Sequence, residues 1–221
     1  MQIRAVIFDY GLVLSHQDPV AHQKLVRITG LDLDTFERIY WPGRPQYDLA
    51  QVDGPGYWRW FAGEAGLTFT PEQIQSLVHN DVLMWAALNP AMVAWAAALQ
   101  QVGVHTAILS NMIPDLLHYM RNSADFAWLS GFTQLTWSCE LGMVKPDPAI
   151  YTYTCGKLGV APQETLFLDD NPKNIRAAEA LGIHGIQFTS TENLRQELAS
   201  RGLLQDVPQP GEAGVDAQPM C

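Results

Sequence analysis

The chain has 221 residues, 48% of them hydrophobic, which is enough apolar material for one sizeable core with room for a smaller inserted module. Its formal charge of -10, with no run of Lys or Arg, repels nucleic acid and anionic membranes, so an anionic ligand has to be met by a local positive site. The three cysteines, Cys139, Cys155 and Cys221, lie far apart with no CxxC spacing, which predicts neither a disulfide framework nor a zinc site and points to a reducing, cytoplasmic setting.

In chain order, Ile3 to Phe8 is a run of branched and apolar residues with little alternation, as expected of a central strand covered on both faces of a parallel sheet. Val104 to Leu109, Phe132 to Leu135, Thr165 to Leu168 and, more weakly, His184 to Phe188 share that profile. Helical spacing fills the intervals at Pro90 to Gln101, Pro114 to Arg121, Pro148 to Leu158 and Asn171 to Leu181. Strand alternating with helix predicts an α/β, doubly wound, Rossmann-like parallel sheet.

Residues 15–89 interrupt the alternation and read as a helical insertion after the first strand, leaving residues 1–14 and 90–204 as the core. A helix is predicted to begin near Pro19, with others at Asp34 to Tyr40, Gly56 to Gly66 and Pro71 to Trp85, the last capped by Thr70. Trp41 to Pro55, with Pro42, Gly43, Pro45 and Gly54, is expected to be irregular and to face a ligand, which makes Trp41, Arg44 and Tyr47 candidate substrate contacts. Trp58, Trp60, Phe61 and Trp85 recur at helical spacing and read as packing inside the insertion. Residues 205–221 are rich in Pro and Gly and are expected to form a flexible tail. The apolar stretch from Val82 to Leu99 is broken at Asn89-Pro90, so no membrane span is predicted.

Reactive groups in an open parallel sheet gather beyond the carboxyl ends of its strands. Asp9 follows the first strand, Ser110 and Asn111 the second, and Asp169 and Asp170 the fourth, while Lys145 sits in a turn before a helix. Three carboxylates in one pocket resist ionising together unless a cation joins them, and magnesium, which prefers oxygen ligands, suits such a set. Asp9 and Asp170 are the expected direct ligands, with Asp169 supporting and the Gly11 carbonyl adding an oxygen. Asp9 is then placed to attack phosphorus, while Lys145 and Ser110 stabilise the equatorial oxygens.

The segments Val6-Ile7-Phe8-Asp9-Tyr10-Gly11-Leu12-Val13-Leu14, Ile108-Leu109-Ser110-Asn111, Lys145-Pro146-Asp147-Pro148 and Phe167-Leu168-Asp169-Asp170-Asn171-Pro172-Lys173-Asn174 resemble, in order, the four motifs of the haloacid dehalogenase (HAD) superfamily. The resemblance implies that Asp9 is the nucleophile, that Ser110 and Lys145 bind phosphate, that Asp169 and Asp170 serve magnesium and that Asn174 supports their loop. It also implies that residues 15–89 are a helical cap closing over a small phosphate ester.

One position departs from the pattern. Family phosphatases carry an acidic residue two positions after the nucleophile, and here Gly11 stands there, leaving His16, Asp18 or a cap residue to supply a proton. The chain is similar in this to the bacterial glucose-1-phosphate phosphatase branch, which makes a sugar 1-phosphate the preferred substrate expectation. The alternatives are a metal-independent 2-haloacid dehalogenase and a non-catalytic binding protein of the same fold; the oligomeric state is left open.

Overall fold

The first strand, β1 (Ala5–Phe8), has all four residues buried, and they divide between two cores. Val6 and Phe8 belong to one apolar cluster and Ala5 and Ile7 to the other, which is why the strand shows no polar face. The computed structural model describes residues 2–211. After a turn at Tyr10–Leu14, β2 (Ser15–His16) leads into α1 (Pro19–Thr29), α2 (Leu33–Asp48), α3 (Gly54–Ala65) and α4 (Pro71–Ala86), and β3 (Ala87–Leu88) returns the chain. There follow α5 (Pro90–Gln101), β4 (His105–Ser110), α6 (Pro114–Asn122), β5 (Gln134–Trp137), α7 (Ser138–Leu141), α8 (Pro148–Leu158), β6 (Thr165–Asp169), α9 (Pro172–Glu179), β7 (His184–Gln187) and α10 (Thr191–Ser200).

The main sheet has five parallel strands in the order β5-β4-β1-β6-β7, the doubly wound α/β arrangement. β2 and β3 form a separate antiparallel neck, with Ser15 opposite Leu88, through which the chain leaves and re-enters the sheet domain. Asn89 closes that neck, its amide donating to the Leu14 carbonyl at 2.8 Å and its side chain to the Val13 carbonyl at 3.0 Å. No helix among the described residues is long and apolar enough to cross a membrane.

The helical module is built on short-range signals. Asp18, Asp32 and Asp53 accept amide hydrogen bonds at the starts of α1, α2 and α3, and Thr70 and Gln73 form a reciprocal capping box on α4. Phe36, Tyr40, Tyr57, Trp58 and Phe61 then pack as one aromatic cluster, with the Phe36 and Tyr40 rings stacked at 5.3 Å.

The irregular segment expected from Trp41 to Pro55 is mostly helix, because α2 continues to Asp48 through Pro42 and Pro45. Each proline withdraws an amide donor at a cost of about 3 kcal/mol in an isolated helix. Tertiary contacts outweigh that cost. Arg44 is held by the Tyr40 hydroxyl and the Asp81 carboxylate, the Tyr57 hydroxyl donates to the Tyr40 carbonyl at 2.6 Å, and Trp60 packs onto the bare backbone of Gly43.

β5 begins two residues later than the apolar pattern suggests, since Phe132 turns in to meet Phe8 edge-on at 6.1 Å. The flexible tail expected from Gln205 is also corrected in its first part. Val207 is buried and the Trp95 indole donates to the Pro208 carbonyl at 2.7 Å, so this part of the tail is tied to α5; residues 212–221 lie outside the described residues.

Gly43→Ala tests the helix contact: a Cβ there overlaps the Trp60 ring, and the variant should lose about 1–3 kcal/mol of unfolding free energy in a urea titration. Pairing it with Trp60→Ala should recover part of the loss in a double-mutant cycle.

Candidate active site

The chain runs from β1 towards β4 on one side of the sheet and from β6 towards β7 on the other, so the strand order reverses between β1 and β6. A crevice opens at such a reversal, beyond the carboxyl ends. Asp9 follows β1 directly, its amide hydrogen-bonded to the Leu168 carbonyl at 2.8 Å, and Asp169 and Asp170 end and follow β6. One carboxylate oxygen from each of the three lies within 4.8 Å of the others.

Lys145 enters this group from the turn before α8. Its ammonium stands 2.8 Å from Asp9 Oδ2 and 2.7 Å from Asp169 Oδ2, with a side chain 1% exposed. Asp169 is saturated: Asn174 Nδ2 donates to both its oxygens at 3.0 Å, and the Asn171 amide donates to Oδ1 at 2.8 Å. Asn111 is spent on positioning, because its Oδ1 accepts from the Lys145 amide at 2.8 Å and its Nδ2 donates to the Lys145 carbonyl at 3.1 Å. The Ser110 hydroxyl reaches only the Asn111 carbonyl, at 3.3 Å, and lines the cleft.

Three carboxylates against one ammonium leave the pocket with excess negative charge. Burial pushes the Asp9 carboxyl up to about 7, with Lys145 opposing the rise and Asp169 and Asp170 adding to it. Asp170 is raised by burial and then by Asp169. Burial alone would lower Lys145, but Asp169 and Asp9 outweigh it and hold the ammonium protonated above its usual range. An all-oxygen set that disfavours its own ionisation fits a hard divalent cation of the magnesium type.

The turn after Asp9 shapes the rest of the floor. Leu12 adopts φ 59, a left-handed conformation that costs about 1 kcal/mol for a residue with a Cβ, while Gly11 has an ordinary extended backbone. A Cβ at Gly11 would meet only the Trp85 ring, at 3.5 Å. The cleft has a volume of about 360 Å³, and Trp41, Arg44, Pro45, Asp48 and Trp85 bound it from the helical module.

Of the three candidates in that module, Trp41 is exposed at the cleft and meets Trp85 edge-on at 6.3 Å. Arg44 lines the cleft but is committed to Asp81 at 3.1 Å, Asp48 at 3.5 Å and the Tyr40 hydroxyl at 2.8 Å. Tyr47 does not line it; the ring is fully buried and its hydroxyl donates to Asp115 Oδ2 at 2.7 Å. Asp18 caps α1, and His16 faces an adjoining cavity that Asp170 also lines.

Sequence reasoning missed Trp85 and Asp48. Trp85 shares the helical spacing of the packed aromatics, and only its place at the end of α4 sets it apart. Asp48 stands four residues after Arg44, a spacing that becomes meaningful once the helix is carried through its prolines.

A family model described as haloacid dehalogenase-like hydrolase matches residues 3–182. Among curated proteins, the chain is 37% identical over 81 residues to flavin mononucleotide hydrolase 1 of Arabidopsis thaliana, covering 36% of this chain and 33% of that protein. It is 26% identical over 147 residues to the phosphoglycolate phosphatase of Pasteurella multocida, covering 63% and 65%. The chain spans a third or less of the length of three of the curated relatives it matches, at 33%, 23% and 10%. A HAD family enzyme of Bacteroides thetaiotaomicron, solved with magnesium and inorganic phosphate, shares the fold at a TM-score of 0.68 and 18% identity, covering 85% of this chain and 94% of that one.

Removing the clamp on Lys145 tests the geometry. Asn111→Ala leaves a buried amide and carbonyl without partners, and the urea midpoint should fall by the equivalent of about 1–3 kcal/mol.

Proposed function

This chain belongs to the haloacid dehalogenase-like hydrolase family, and from that premise we propose that it hydrolyses small phosphate esters through an aspartyl phosphate on Asp9. The observation that carries the proposal is the convergence of Asp9, Asp169 and Asp170 around the single buried ammonium of Lys145. A phosphoryl group asks for charge stabilisation and an aligned nucleophile, and this crevice offers both.

Asp9 Oδ attacks phosphorus while the ester oxygen departs, and water then cleaves the acyl phosphate to return the free carboxylate. Lys145 holds the nucleophile by one ion pair and offers its charge to the equatorial oxygens, with the Ser110 hydroxyl beside it. Asp9, Asp170 and the Gly11 carbonyl would hold a magnesium ion with Asp169 behind them, supplying the positive charge that the carboxylates and a phosphate need. Asn174 and the Asn171 amide keep Asp169 in register. The magnesium and phosphate in the Bacteroides structure support this reading. A 2-haloacid dehalogenase needs no cation, and the clustered acids and raised Asp9 argue against that alternative.

For the substrate we favour a sugar phosphate, with a sugar 1-phosphate first. The volume of about 360 Å³ suits a small metabolite, and the indole faces of Trp41 and Trp85 suit the C–H faces of a sugar ring.

Asp9→Asn should abolish phosphate release from every ester while the thermal transition persists; residual turnover comparable with wild type would remove Asp9 as the nucleophile. EDTA should stop phosphate release and added magnesium restore it. Because the proton on Asp9 must leave before a cation binds, magnesium affinity should rise with pH through about 7, and calorimetry should find it roughly thirtyfold tighter at about pH 8 than at about pH 5.5. Trp41→Ala should raise KM for sugar phosphates about tenfold with kcat nearly kept, the equivalent of about 1.4 kcal/mol of uniform binding.

A further inference from the structure

Gly11 leaves the loop after the nucleophile without a group to protonate the departing alkoxide. Among the described residues the cleft contains one carboxylate besides Asp9 and Asp170, and it is Asp48, at the last position of α2. We propose that Asp48, delivered from the helical module, is the general acid and base of this site, in place of the group missing at position 11. The proposal rests on the phosphoester reading above.

The surroundings of Asp48 are those of a placed group. Its backbone carbonyl accepts a hydrogen bond from the Ser138 hydroxyl at 2.6 Å, and the same hydroxyl accepts from the Met112 amide at 2.8 Å. The end of α2 is thereby tied to the segment that follows β4, next to Ser110 and Asn111. Asp48 Oδ1 is buried with no hydrogen-bond partner, and Arg44 Nη2 approaches it only to 3.5 Å because the other arm of that guanidinium serves Asp81 and Tyr40. A buried carboxyl oxygen without a hydrogen-bond partner is costly, and a catalytic role beside the cleft accounts for its being kept.

The charged and titratable groups that face it are Arg44 on its own helix, Tyr57 from α3, Asp81 from α4, Lys145 from the turn before α8 and Cys139 from α7. Burial, the largest influence, raises its pKa, Arg44 pulls it down, Asp81 raises it and Lys145 lowers it, and the balance lies above the ordinary carboxylate range. That balance favours the protonated form a general acid requires.

The proton balance closes over the two steps. As Asp9 Oδ bonds to phosphorus and the ester P–O bond breaks, the Asp48 carboxyl gives its proton to the leaving oxygen, which departs as a neutral alcohol. The resulting Asp48 carboxylate takes a proton from the water that attacks the aspartyl phosphate, so inorganic phosphate leaves and both carboxyls return to their starting states.

The experiment compares alkyl phosphates, whose leaving groups need a proton, with 2,4-dinitrophenyl phosphate, whose leaving group does not. In Asp48→Asn, kcat/KM for the alkyl esters should fall about 100-fold or more while that for the dinitrophenyl ester changes little. Parallel losses on both would assign Asp48 to positioning through Arg44 and overturn the proposal, and no loss on either would overturn it equally. The wild type gives a check independent of the variant's folding: its leaving-group dependence should be shallow, and a steep dependence overturns the proposal. Failure of the phosphoester reading looks different, since wild type would then release phosphate from none of these esters.

Discussion

The buried ammonium of Lys145, shared between Asp9 and Asp169, is the interaction on which the rest of the site depends. Taking a charge out of water is costly, and removing one member of such a group leaves the others uncompensated at about 3–5 kcal/mol. Much of the surrounding structure is arranged around that liability. Neighbouring positions for β1 and β6 bring the two carboxylates together, Asn111 holds both peptide groups of Lys145, and Asn174 with the Asn171 amide satisfies Asp169. What remains is a surplus of negative charge, and that surplus is the chemical basis for reading the crevice as a cation and phosphate site.

The same logic recurs in the helical module at the far wall. Arg44 balances Asp81 and Asp48 below the surface, Tyr40 donates to Asp81 at 2.7 Å, and Tyr47 carries the network across to Asp115 on α6. Together with the Ser138 bridge to Asp48, these contacts orient α2 against the sheet domain. The module therefore does more than roof the cleft. It presents Trp41 and Asp48 from the middle and the end of α2, while α4 presents Trp85 beside the narrow β2–β3 neck.

The cleft has a charged floor, supplied by the strand ends and the turn that carries Lys145, and a wall supplied by the helices, on which two indoles, Asp48, Arg44 and Pro45 meet. On the phosphoester reading, reactions with different leaving groups can share such a floor, because phosphoryl stabilisation is common to them, and selection among esters falls to the wall. The empty side-chain position at Gly11 marks where the two halves meet, with the Trp85 ring directly across from it.

The sequence by itself determined the sheet, its winding and the floor of the site. Runs such as Ala5 to Phe8 have one stable use, burial between two cores, and polar residues at their carboxyl ends gather along one edge of a parallel sheet. That is why Asp9, Ser110, Lys145, Asp169, Asp170 and Asn174 were legible from spacing and motif order. The tertiary structure alone decided the wall. Local propensity ends a helix at Pro42 and Pro45, yet the Arg44 network and the contact of Trp60 with Gly43 carry α2 on to Asp48, so that Tyr47 turns inward and Asp48 faces the cleft. The indole of Trp85 carries no local mark distinguishing it from the packed aromatics, and its side of the helix was settled by contacts far away in the chain. The segment around Val207 and Pro208 likewise lacks the apolar content to order itself, and it is held because Val207 is buried and a distant indole, Trp95, donates to the Pro208 carbonyl.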